Sequence, residues 1–173
     1  MPTGRRTAAV ALLVFLLGVL VLAIGPGLPP YGGPFDDGTV HVSTADGRLL
    51  GTVSVAVADT PMERYFGLSN TDPLGPSAGM LFVFPDEGHR TFVMRDMDYP
   101  LDIIFVGANG TITHIAHAPV ESNGDLTPYS ARAKWVLEVP YGWTTDHGVS
   151  VGDSVTMDLQ TGSESAQTSV QAK

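Results

Sequence analysis

Short apolar runs bounded by turn-forming residues recur from Thr39 to Leu159. They predict strands at Val40 to Ser43, Leu49 to Val57, Met80 to Phe84, Thr91 to Met94, Leu101 to Val106, Thr111 to His117, Lys134 to Val139 and Ser154 to Leu159. Between the fifth and sixth stands "GANGT"; its Asn109-Gly110 pair suits a type I′ turn, so these strands form a hairpin. Helix signals are confined to two places. "DTPMERYFGL" offers Thr60 as N-cap, Pro61 at the first helical position, Glu63 to complete a capping box and Gly67 as a stop. A shorter turn of helix runs from about Trp143 to His147 and ends at Gly148. Many short strands with two small helices make an α+β domain, mainly antiparallel β, compact and barrel-like.

The pattern differs at both ends. Ala8 to Ile24 carries no charge and follows Arg5 and Arg6, which predicts a transmembrane anchor with residues 1–7 in the cytoplasm and the rest outside. A cleaved secretory signal is the alternative, with small residues at "AIG"; either way the domain is exported. Gly25 to Gly38 is rich in Gly and Pro and reads as a spacer, so the domain is expected over residues 39–160. Residues 161–173 are polar and aperiodic, which predicts a disordered tail.

Charge narrows the partners. Beyond residue 24 there are 18 acidic residues against seven basic ones, a net charge of −11. Such a surface repels nucleic acid and attracts cations, and with only two Lys it resembles that of salt-adapted proteins. There is no Cys, so disulfides, thiol catalysis and Cys-based zinc sites are excluded.

The sharpest candidate lies in "MRDMDYPLDIIFV", where Asp102 interrupts an otherwise apolar strand. Alternation puts Leu101, Ile103 and Phe105 on one face and Asp102, Ile104 and Val106 on the other, so both faces are covered. A desolvated carboxylate needs a partner, and the available cations are Arg95 and Arg90 nearby or Arg64 and Arg132 through the fold. In one reading Asp102 pairs with an Arg, or with N–H groups of the "DYP" turn, and only holds the fold together. In the other, Asp102, Asp96 and Arg95 meet a ligand in a pocket walled by Phe92 and Met94.

Other motifs carry less. His114 and His117 stand three apart on a strand, where side chains face opposite ways, so no shared metal is expected. His89 with Asp86 and Glu87 reads as a solvated turn, and Tyr129, Ser130 and Arg132 as a loop. "GPSAG" around Ser77 matches a nucleophile elbow in letters, but it precedes a strand where an elbow follows one.

"VAVADTPMERYFGLSNTD", "GMLFVFP", "TFVMRDMDYPLDIIFV", "GTITHI" and "WVLEVPYGWTTDHGVSVGDSV" together resemble, in order and spacing, the family catalogued as domain of unknown function 192. The resemblance covers about residues 53–155. It implies a compact, mostly β, frequently exported domain and no established activity. Where the family usually reads Met-Lys-Asn-Thr, this chain has Met94, Arg95, Asp96 and Met97, and the Cys pair that many members carry is absent.

The expectation is therefore a membrane-tethered, extracytoplasmic, noncatalytic module that binds a small ligand or envelope partner near residues 92–102, with no cofactor, metal or nucleic acid. The alternatives are an acid–base hydrolase using Asp102, with Arg95 binding an anionic group, and a structural envelope protein.

Overall fold

The computed structural model describes residues 37–69, 71–122 and 124–160. The expected membrane span, nearly all of the linker and the polar tail lie outside these residues. Among the described residues no helix is long and apolar enough to cross a membrane.

In chain order the elements are β1 (Gly38–Ser43), β2 (Leu49–Ala58), α1 (Pro61–Phe66), β3 (Ala78–Phe92), β4 (Leu101–Val106), β5 (Ile112–Ala118), β6 (Tyr129–Pro140), α2 (Trp143–His147) and β7 (Ser154–Leu159). The strands form one seven-stranded sheet in the order β5-β4-β6-β3-β2-β1-β7. Its pairings are antiparallel except β2–β3, which is parallel because α1 and its following loop carry the chain back across. The sheet is thus mixed, and it curls into a half-barrel. Its two edge strands approach at one end, where Thr111 bridges Ser154 and the Val155 N–H donates to the Gly110 carbonyl at 2.7 Å.

Alternation along the strands builds two apolar clusters, one on each face. One draws on all seven strands, with Val40, Val53, Leu81, Ile104, Ile112, Leu137 and Val155 among its members, and is completed by Trp143 of α2. The other joins Met80, Phe82, Leu101, Ile103, Phe105 and Val136 to Leu68, Met94, Met97 and Tyr99 from the connecting segments.

Helix α1 starts as its capping signal requires. The Glu63 N–H donates to Thr60 Oγ1 at 3.2 Å, and the Thr60 N–H donates back to Glu63 Oε2 at 2.9 Å. These backbone donors hold the Glu63 carboxyl below its ordinary range.

Three expectations change. The "PDEGHR" turn is instead a bulge within the single long strand β3: Val83 faces Trp135 and Gly88 faces Ala133, so the extra residues loop out without ending the pairing. Tyr129, Ser130 and Arg132 therefore lie on β6 rather than on a loop. The β4–β5 hairpin forms, but only Gly110 takes positive φ (79°), and the Gly110 N–H closes a turn onto the Gly107 carbonyl. The connection is a three-residue turn with a glycine bulge, not type I′.

Candidate functional site

A pocket of about 250 Å³ opens on the face that carries Phe82 and Leu101. Helix α1 and the turn after it supply one wall through Arg64, Tyr65, Phe66 and Leu68, and β3 supplies Phe82, Phe84 and Phe92. The segment leading to β4 adds Met94, Arg95 and Met97, and Glu138 of β6 completes the lining. Phe92 stands edge-on to Phe82 (4.9 Å between centroids) and to Phe105 (5.9 Å), a packing that fixes the wall.

Glu138 sits opposite Ile103 of β4 and Met80 of β3, in the middle of the sheet. It is only 6% exposed. No ion pair or hydrogen bond engages its carboxyl among the described residues, yet no buried side-chain oxygen there is sealed off without a partner. Its oxygens therefore open on the pocket. Burial alone, with no nearby cation to offset it, pushes the carboxyl up to about 8.

The arginines at the site are engaged elsewhere. Arg64 donates to the carbonyls of Asp59 and, at 2.9 Å, Val83, and it lies over the Phe84 ring. Arg95 donates to the Tyr65 carbonyl and covers the Tyr65 ring at 4.3 Å. The Arg95 carbonyl in turn accepts from Ser69 Oγ at 2.9 Å, tying the segment after β3 to the turn after α1.

Of the residues singled out in the sequence, Phe92, Met94 and Arg95 line this pocket together. Asp96 does not; it is exposed, on a left-handed backbone (φ 54°) that turns the chain toward β4. Asp102 projects from the opposite face of the sheet and does not meet Arg95. It is fully buried, and its partners are not arginines. His117 Nδ1 donates to Asp102 Oδ1 at 2.7 Å, while the Thr144 N–H (2.9 Å) and Thr144 Oγ1 (2.6 Å) donate to Oδ2. The carboxylate thus ties α2 to the β4–β5 hairpin. The remaining cations that could have paired with it are spent too: Arg90 lies over Phe84 at 4.0 Å, and Arg132 meets Glu87 at 3.3 Å.

Glu138 and His117 were both within reach of sequence reasoning. Glu138 stands between Leu137 and Val139, the same signal of a lone carboxylate in an apolar run that marks Asp102. Counting outward from Asn109-Gly110 places His117 opposite Asp102, the register observed.

Among curated proteins none matches this chain. A crystal structure from Novosphingobium aromaticivorans DSM 12444, of a protein of unknown function, is similar at 31% identity and a TM-score of 0.64, covering 89% of this chain and 99% of that one. Another, from Sinorhizobium meliloti 1021 and provisionally described as a transcription regulator, shares 30% identity at a TM-score of 0.64, covering 69% of this chain and 92% of the other. The family model of DUF192, described as "Uncharacterized ACR", matches residues 41–157. With that match over most of its length, the chain belongs to the DUF192 family.

Proposed function

We propose that this DUF192 domain is a noncatalytic binding module, held outside the membrane by residues 8–24, whose pocket beside α1 takes a small apolar ligand. One observation carries the reading: an aromatic-walled pocket contains a buried carboxyl with no hydrogen-bond or ionic partner among the described residues. A folded chain rarely leaves such a group unmet without a reason in function. At about 250 Å³ the pocket falls just below the roughly 300–1,000 Å³ of drug-sized sites, so it suits a compact ligand. The net charge of −9 argues against nucleic acid, and so against carrying transcription regulation over from the Sinorhizobium protein.

Methyl NMR of the full chain in detergent, labelled at methionine, tests the pocket with n-hexanol as probe. Met94 and Met97, in the lining, shift on addition, whereas Met157 on the other face stays. Unmoved Met94 and Met97 signals would remove the reading.

A second reading rests on the Asp102–His117 pair. A buried carboxylate bonded to Nδ1 of a half-exposed imidazole is the orienter and base of acid–base hydrolysis. On that reading His117→Asn abolishes hydrolysis of an envelope component while the fold survives. On the binding reading the wild type hydrolyses nothing.

A further inference from the structure

The ligand class follows from what Glu138 lacks, given the reading of its pocket as a ligand site. We infer that the pocket takes a small organic cation, a primary ammonium on a short apolar chain, with the ammonium paired to Glu138 and the chain lying along Phe82, Phe92, Met94 and Leu101.

Four observations converge on this. Glu138 is 6% exposed, opens on the pocket and has no hydrogen-bond or ionic partner among the described residues. The two arginines of the lining are held by carbonyls and ring faces, so neither neutralises it. The walls are aromatic and thioether groups, which solvate an alkyl chain and offer π-faces to a cation. An acidic surface of net charge −9 concentrates cations around the domain.

Other ligand types fit less well. A divalent metal ion needs several oxygen or imidazole ligands, and among the described residues Glu138 is the only Asp, Glu or His of the lining. An anion would bury its own charge without a counter-ion, because both arginines of the lining are held by carbonyls and a protonated Glu138 offers it one neutral O–H. A neutral alcohol would make one ordinary hydrogen bond and gain nothing from charge.

The protonation balance gives the inference a signature. Near pH 7 Glu138 is mostly protonated, since burial holds it up to about 8. When an alkylammonium enters, the carboxylic acid O–H breaks, its proton leaves to solvent, and carboxylate and ammonium remain as a neutral pair. One proton is released for each amine bound. Affinity for the amine therefore rises close to ten-fold per pH unit below about pH 8, and affinity for an alcohol stays flat.

The test is isothermal titration of the full chain in nonionic detergent, with detergent alone as blank, using n-hexylamine, n-hexanol and hexanoate from pH 6 to 7.5. The expected result is n-hexylamine at least about ten-fold tighter than n-hexanol at pH 7.5, hexanoate weakest, and a proton released only with the amine. Glu138→Gln, which keeps the size of the side chain, should bring the amine down to the alcohol and abolish its pH dependence. Equal binding of amine and alcohol, or preference for hexanoate, overturns the cation while leaving the pocket a ligand site. Failure of all three to bind the wild type overturns both.

Discussion

Two buried carboxyl groups, one on each face of the sheet, behave in opposite ways. Asp102 accepts three hydrogen bonds and is a structural tie, so Asp102→Asn, which turns an amide N–H₂ toward existing donors, should cost about 3 kcal/mol in urea unfolding. An unchanged midpoint would mean that the tie carries no weight. Glu138 has no such partners among the described residues, and its sign runs the other way. Its proton is held to about pH 8 in the folded chain, against an ordinary value of 4.5, so the folded state binds the extra proton between those limits. That contribution is full below about pH 4.5 and is lost as pH rises toward 8, at up to about 1.4 kcal/mol per unit. Unfolding of wild type and Glu138→Gln across this window should show the wild type losing ground steadily to the variant. Parallel profiles would place the carboxyl in water.

At the level of elements, local chemistry was legible wherever the deciding groups are close in sequence. Thr60, Pro61, Glu63 and Gly67 specify α1 almost unaided, and the β4–β5 hairpin is written in its flanking apolar runs. What could not be read depends on distant partners. The first half of β6 has half-exposed and exposed residues in turn and no apolar run; it is a strand because Gly88 to Phe92 pair with it across the sheet. The same pairing carries β3 through Pro85 and Gly88, which in isolation signal a turn. The pocket needs α1, β3, β4 and β6 together, so the apolar run around Glu138 marks a buried carboxyl in the sequence, but only the β3–β6 pairing brings it to the Phe92–Met94–Arg95 side. Since α1 walls the pocket and buries none of its own residues, its cap matters for more than the helix. Thr60→Ala should cost about 1 kcal/mol and weaken n-hexanol binding, measured by unfolding and by the Met94 methyl shift. Full binding with a lost cap would show that the wall is held by other contacts.

On the scale of the whole molecule, acidic residues outnumber basic ones by 18 to 9, and the net charge is −9. Self-repulsion of that excess is screened by salt, as the Debye length shrinks from about 10 Å at 0.1 M to about 3 Å at 1 M. The thermal midpoint should therefore rise between 0.1 and 2 M potassium chloride; a midpoint that falls would show that charge repulsion does not limit stability. Everything at the pocket turns on Glu138, which has no hydrogen-bond or ionic partner among the described residues, and ¹³C NMR of its carboxyl across pH in the full chain is the decisive measurement. The expected titration midpoint is about 8, moving down when n-hexylamine is added. A midpoint near the ordinary 4.5, indifferent to the amine, would mean a solvated side chain and no site.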